Sequence, residues 1–585
     1  MIWKLPKTKQ NGSHHWELAP PVEPGELAAL DGVPPQIAPL LWGRGIRTAQ
    51  DADAFFAKPA LVQLPDPYLL TDMDNAIARL HVAKEQKERV VVFGDNDPDG
   101  TCGAVMLMSL LDALRIEASV YLPDRLAEGH AMTSKAVKEI TKRKATLVIT
   151  VDTGVRETES ITALKNKGIE TIVLDHHIVP DVLPPAVAIV DPRRIGEPYG
   201  FDGLCGAAVA FVFIQAMTAS PLGKALPEDF LDHQLDLVAI ATIADMVPLK
   251  GPNRVLLRLG LSALRTTTRP GLLALYASAG ITPAHIDEHT IAFDIAPRIN
   301  AVARVDHAST AYTLLAAPDK ETAEPYAKEM NVLNRKRKRE VDAIIARAMD
   351  ALSKEDLPPI VIVRDDTFSP TMVGIAASRV REKTNHPVFL CSRVSDGIRC
   401  SGRSSETFHL LDAMEACGGA NLFADYGGHT QAAGLTVQEQ WFDLFAERMQ
   451  AYAASQGHAA VHASLTADLT LAAHEVAPVL AEWIERLRPF GKDNPRPRFL
   501  IKNLEVLESR SAGSRGSGVR IKLVAAQGGR TLSAVSKNAE ALPAFRPGDR
   551  IDVLAEIRTD SFKGQSLPVL ALLDVRPSEN LGPRA

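Results

Sequence analysis

The sequence predicts an α/β protein built on a parallel sheet, with a second α/β segment and a small β-barrel behind it. Three observations carry this. Apolar runs ending in acid or histidine, RVVVFGD (closing at Asp95), TLVITVD (146–152) and TIVLDHH (171–177), alternate with amphipathic stretches near 102–114 and 157–167. The alternation resumes at 358–450, opening on the strand PPIVIVRDD. From about 462 the pattern becomes short alternating strands with turns such as SRSAGSRGSGVRIKLV (509–524), which suits a barrel or sandwich.

A chain of 585 residues is too long for one core. Residues 1–70 read as a proline-rich N-terminal extension, 71–250 as the parallel-sheet domain, and 251–354 as mostly helix. That helical region closes on a long charged helix from about 326 to 353. Residues 355–455 form the second α/β domain and 462–578 the β domain.

A hydrophobic content of 46% with 23% charged residues is that of a globular protein. The net charge of -6 excludes a general polycation, so nucleic-acid binding has to come from local basic patches. Five cysteines without a C-x-x-C pair argue against a disulfide framework or structural zinc and fit a reducing cytoplasm. The N-terminus lacks a signal-peptide core, and the most apolar stretch, Leu204 to Ala219, is shorter than the ~20 residues a membrane span needs. A cytoplasmic protein without a membrane is expected.

In parallel α/β sheets ligands collect at the carboxyl ends of strands. Asp95, Asp97 and Asp99 (GDNDPDG), Asp152 (TVDTG) and Asp175-His176-His177 all fall there, and Asp245 (ADMVPL) is a further candidate. Taken singly, each is better read as a turn, loop or helix-cap residue. Taken together, carboxylates and imidazoles make a mixed oxygen and nitrogen site for Mn²⁺ or a similar ion. Two such ions, roughly 3.5–4 Å apart, neutralise the carboxylates, activate water and stabilise phosphoryl charge.

The four motifs GDNDPDG, TVDTG, LDHH and ADMVPL, in that order, resemble those of the DHH phosphoesterase superfamily. Within it the chain is most similar to the RecJ-type exonucleases, which degrade single-stranded DNA 5′→3′. The likeness continues through LCGAAVAF (204–211), APRINAVARVDHA (296–308), VGIAASR (373–379), GGHTQAAG (427–434) and PFGKDNPRPRF (489–499).

The resemblance implies a DHH domain joined by a long helix to a DHHA1 α/β domain, with an OB-like barrel at the C-terminus. It implies Asp97, Asp99, Asp152, His176 and Asp245 as ligands of two Mn²⁺ or Mg²⁺ ions, Asp152 bridging and Asp95 a weaker candidate. His177 is expected to contact the scissile phosphate and Asp175 to orient a histidine. Arg125, Arg298 and Arg304 are candidates for a 5′-phosphate pocket, each with a surface ion pair as its alternative. Ser378, Arg379, Arg403 and His429 match the DHHA1 substrate side. The implied activity is release of 5′-mononucleotides from single strands in DNA repair and recombination, by a monomer. A helicase or a single-strand-binding protein is a possible partner.

Five consecutive cations in NRKRKRE (334–340) spray around a helix that turns about 100° per residue, so a solvated helix or a contribution to a positive cleft both remain open. Residues 485–530 carry eleven Lys/Arg against four Asp/Glu, a net of +7, suited to gripping a strand through its phosphates. Asn96, Pro98, Thr153, His130 and Ala303 depart from the family pattern without touching the expected ligands. Two other readings stay open: a DHH phosphoesterase for short oligonucleotides or cyclic dinucleotides, and a non-catalytic binding scaffold. The basic β domain speaks against the first and the complete ligand set against the second.

Overall fold

The computed structural model describes residues 15–125, 128–305, 308–352, 357–405, 407–456, 464–512, 518–525, 529–536, 545–562 and 565–578. The chain divides into two compact units. One is residues 59–460; the other joins the segment up to Lys58 to the residues from Val461 onward. No helix among the described residues is long and apolar enough to cross a membrane.

In the larger unit the first sheet has strands β1 (Val90–Gly94), β2 (Ala118–Tyr121), β3 (Leu147–Val151), β4 (Glu170–Leu174) and β5 (Ala188–Val190) in the order β2-β1-β3-β4-β5. Every pairing is parallel. β1 and β3 are buried along their whole length, which is why they read as unbroken apolar runs. Helix α1 (Pro98–Ala113) follows β1, starting on Pro98 at its first position, where a missing N–H costs nothing. Helices α2 (Gly206–Ala219) and α3 (Leu235–Ala244) are apolar almost all round and sit inside the main core. Glycine is needed at two crossings. A Cβ on Gly206 would lie 2.5 Å from the Asp152 Cβ, and one on Gly100 would lie 2.5 Å from the Asp95 backbone.

Helix α4 (Ala296–Val305) packs on the long helix α5 (Lys320–Ala351), which leads into the second sheet. That sheet has β6 (Val361–Arg364), β7 (Val388–Val394), β8 (Gly397–Arg403), β9 (Phe423–Gly428) and β10 (Ala432–Val437), ordered β9-β10-β8-β7-β6. Helix α6 (Val373–Thr384) lies between β6 and β7 in sequence; β6 and β7 are parallel and the other pairings antiparallel. Cys391 and Cys400 face each other across β7 and β8 and are joined by a disulfide. Such a pair could not be read from the sequence, because nine residues of separation become a contact only through hairpin register. Cys102, Cys205 and Cys417 are free and buried.

In the smaller unit, β11 (Leu469–Leu471) and helix α7 (Pro478–Arg486) precede β12 (Arg498–Ala512), β13 (Gly518–Ala525), β14 (Leu532–Ser536), β15 (Arg550–Phe562) and β16 (Gln565–Pro577). The order β12-β13-β14-β16-β15 closes through a β12–β15 pairing, and β14 with β16 is the parallel pair. This is the five-stranded OB wiring, with β11 added alongside β12. Part of the Gly/Ser/Arg turn (513–517) lies outside the described residues. The N-terminal segment belongs to this unit. Leu30, Ile37, Leu40 and Leu41 share one core with Ile484, Phe499 and Val553. His15–Leu18 pairs in parallel with Ser464–Ala467.

Candidate metal centre

The acidic residues expected at the strand ends do converge. Asp97 caps α1, its Oδ1 accepting the amides of Asp99 (2.8 Å) and Gly100 (3.1 Å). Asp99, one residue into the helix, turns the other way and accepts the amides of Gly206 (2.6 Å) and Ala207 (2.7 Å) at the start of α2. These amides, and the helix N-termini in which they lie, favour the ionised form of each carboxyl against the burial that opposes it. Asp152 follows β3 with a left-handed backbone, φ 61°. That turn brings its Oδ1 to 3.0 Å from His176 Nε2. His176 Nε2 is also 3.7 Å from Asp99 Oδ2, and its Nδ1 lies 3.8 Å from Asp245 Oδ2.

Donor atoms of Asp152, His176 and His177 lie within 4.8 Å of one another; so do those of Asp99, His176 and Asp245, and those of Asp95, Asp97 and Asp152. Burial, and after it mutual repulsion, sets the electrostatics. Burial and the Asp97 charge push the Asp99 carboxyl up to about 7. Burial and Asp99 do the same for Asp245. Asp97 and Asp152 are raised for the same reasons. Burial lowers His176, partly opposed by Asp245, so its imidazole stands neutral and ready to ligate. Its Nδ1 is buried without a hydrogen-bond partner. A divalent cation answers both defects at once: uncompensated carboxylates and an orphaned nitrogen.

Asp175 has a different job. Its Oδ1 lies 2.8 Å from His177 Nδ1, and its Oδ2 accepts the amide of Val155 at 2.9 Å. Burial opposes its ionisation, but the His177 bond and charge outweigh this and keep the carboxyl below its ordinary value. Reciprocally, the Asp175 hydrogen bond raises half-exposed His177 to about 9. His177 is therefore a cation at neutral pH, with Nε2 left to donate.

Asp95 stands aside. Both its oxygens face His130 Nδ1, at 2.8 and 2.9 Å, and its Oδ1 accepts the Asn96 amide at 2.6 Å. Asn96 Nδ2 donates to Gly129 O at 2.7 Å, and Arg125 Nη1 lies 3.5 Å from Asn96 Oδ1. Two departures from the family pattern, Asn96 and His130, thus tie one loop to one strand end. Sequence reasoning missed this use of His130, and also Glu128, whose carboxylate accepts Tyr121 (2.7 Å), Thr133 (3.2 Å) and Lys135 (3.1 Å) in the same loop. Sequence reasoning also missed buried Asp191, which follows β5 as Asp95, Asp152 and Asp175 follow their strands; its strand-end position was the available signal.

The remaining candidates scatter. Arg298 is buried beside Asn331, Nε to Oδ1 at 3.4 Å. The side chain of Arg304 lies outside the described residues. Ser378 Oγ donates to Gly374 O at 3.3 Å, and Arg379 pairs on the surface with Glu382 at 3.0 Å. Arg403 is half-buried over Gly374, where a Cβ would meet its Nη2 at 3.1 Å and Ser401 Oγ at 3.4 Å. His429 is exposed, its amide donating to Ala432 O at 2.8 Å.

Comparison with known proteins agrees with this architecture. Family models match for the DHH family, N-terminal domain (residues 89–242), the DHHA1 domain (357–455) and the RecJ OB domain (467–574). The chain is 31% identical over 561 residues to the single-stranded-DNA-specific exonuclease RecJ of Bacillus subtilis, covering 94% of this chain and 68% of that one. To its counterpart in Salmonella typhimurium it is 30% identical, with 95% and 98% covered. The crystal structure of RecJ in complex with Mn²⁺ from Thermus thermophilus superposes with a TM-score of 0.81 at 28% identity, over 97% of this chain and 80% of that one.

Proposed function

Because this chain belongs to the RecJ family of single-stranded-DNA-specific exonucleases, we propose that it hydrolyses single-stranded DNA from the 5′ end, releasing 5′-mononucleotides in DNA repair and recombination. The observation that carries the reading is the strand-end cluster, where neutral His176 with an orphaned Nδ1 faces carboxylates that burial and repulsion hold partly protonated. Asp97, Asp99, Asp152, His176 and Asp245 are the residues to hold two ions of the Mn²⁺ or Mg²⁺ class. When bound, such ions neutralise the carboxylates, activate water and stabilise charge on the phosphoryl group.

The chain's own residues do the rest. His177, kept cationic by Asp175, offers Nε2–H to a non-bridging oxygen of the scissile phosphate. Asp99 is fixed by two α2 amides, so the helix N-terminus sets its position rather than solvent. Arg125, whose Nη1 lies 3.5 Å from Asn96 Oδ1, is the candidate to hold a neighbouring phosphate. Asp95, paired with His130, supports the site or joins its ligands. The barrel's basic strands and α7 turn suit a backbone grip on a longer strand, which a mononucleotide-sized substrate does not need.

The test is digestion of 5′- and 3′-labelled single strands of DNA and RNA with added Mn²⁺. Mononucleotides released from the 5′ end of DNA are expected, and Asp152→Ala abolishes them. Continued digestion by that variant overturns the site assignment.

A further inference from the structure

The outer edge of the first sheet carries a hollow that the metal centre does not use. Strand β2 ends the strand order, and among the described residues it pairs with β1 alone. Beside it lies a cavity of about 640 Å³, a size that suits a small molecule. Val120 and Leu122 line it from the strand, and Lys135, Lys138 and Lys142 from the helix Ser134–Lys142. Ser309 and Tyr312 close it from the helix Ser309–Leu315. No expected metal ligand is among its lining residues.

The three lysines step by three and four, so they form one stripe, opposite the buried face of Ala136, Val137 and Ile140. Two of them are already paired: Lys135 Nζ lies 3.1 Å from Glu128, and Lys142 Nζ 3.6 Å from Glu139. Lys138, between them, is exposed and makes no ion pair among the described residues. The surroundings are built rather than loose. The Glu128 side chain is 4% exposed and accepts Tyr121 Oη at 2.7 Å and Thr133 Oγ1 at 3.2 Å. Arg143 Nη1 donates to Val120 O at 2.8 Å.

Around the cavity Lys135, Lys138, Lys142 and Arg143 exceed Glu128 and Glu139 by two positive charges. Lysines along a sheet edge also keep foreign strands away, but that task needs no hollow behind them. A ligand matched to this lining carries two negative charges and a flat, largely apolar body. A phosphomonoester is mostly dianionic at neutral pH, its second ionisation falling near about 6. A nucleobase supplies the body.

We propose that this cavity binds a nucleoside monophosphate, with its phosphate on Lys138 and the neighbouring lysines and its base against Val120, Leu122 and Tyr312. The site is separate from the strand-end cluster and does not depend on the strand-cleaving reading. Glu128 connects the two, because it lines the cavity and belongs to the loop that carries Arg125 and His130.

Calorimetric titration of the full, metal-free chain with AMP in EDTA tests it. Saturable binding of one AMP per chain is expected, with a Kd below about 1 mM. Lys138→Glu weakens it by about tenfold or more, with a smaller loss in Lys138→Ala, and Asp152→Ala leaves it unchanged. Adenosine and inorganic phosphate each bind more weakly than AMP. AMP also slows acylation of Lys138 and Lys142 by an N-hydroxysuccinimide ester, read by peptide mass spectrometry, while exposed Lys144 reacts as before. No saturable binding, wild-type affinity in Lys138→Glu, or an equal loss in Asp152→Ala each overturns the site. Adenosine or phosphate binding as tightly as AMP does so too, since one half of the ligand would then carry all the affinity.

Discussion

Two carboxylate clusters in the same unit meet opposite electrostatic fates. At the first sheet's edge, burial and mutual repulsion raise Asp97, Asp99, Asp152 and Asp245, two of them to about 7. On the second sheet, Asp366 and Glu439 meet Arg364 and Arg393, with Arg364 at 2.9 Å from both and Arg393 Nε at 2.9 Å from Asp366. Hydrogen bonds from Arg393 and Arg364 lower Glu439 to about 2. The residue types are alike; the difference is whether the chain supplies the cations. A cluster closed by its own arginines has no call on an external ion, whereas one left open and desolvated does.

That contrast can be broken at several points. The largest effect is expected for Asp99→Ala, which lowers Mn²⁺ affinity by more than about 100-fold in calorimetry, whereas Glu439→Ala leaves it unchanged. Equal losses would erase the distinction between the clusters. Next, His177→Gln lowers kcat about 100-fold and removes the alkaline limb of the pH profile. The sign follows from a folded value raised to about 9. The proton, and with it the proposed phosphate contact, is held at neutral pH and lost as pH rises through about 9, while the stability from the Asp175 pair is full below the ordinary histidine range and gone above about 9. A profile still falling near that pH in the variant would assign the limb elsewhere.

A smaller effect concerns the metal-free protein. A carboxyl raised in the fold contributes stability below its unfolded value that is lost as pH rises through the folded one. For Asp245 that window runs from the ordinary carboxylate range to about 7. Metal-free Asp245→Asn should therefore melt a few degrees higher than wild type near neutral or alkaline pH and show no gain in acid. The smallest change belongs to Arg393→Ala. Its ion pairs are exposed, and its melting temperature should stay within about a degree of wild type.

The carboxylate edge was legible because strand-end chemistry is local: an apolar run announces β1, β3 or β4, and the next polar residues must sit at its carboxyl end. What holds those residues was not. The α2 amides on Asp99 come from 107 and 108 positions away. The Cys391–Cys400 pairing depends on strand register, and the half-buried place of Arg337 within the exposed cation run 335–339 shows only once the buried seam of α5 is known. The segment before Lys58 looked like an appendage because the core its leucines complete is encoded after residue 461.

That last arrangement sets an order of events during synthesis. The pairing of His15 with Ser464 must wait for the ribosome to add the intervening residues, on the order of half a minute at about 5–20 residues per second. Throughout that interval the apolar face of Leu30, Ile37, Leu40 and Leu41 has no native cover, while the entire larger unit can emerge and fold. The segment up to Lys58 is thus a nascent-chain liability whose remedy is made only after residue 461. A chain truncated near residue 460 should aggregate unless its first 58 residues are removed as well.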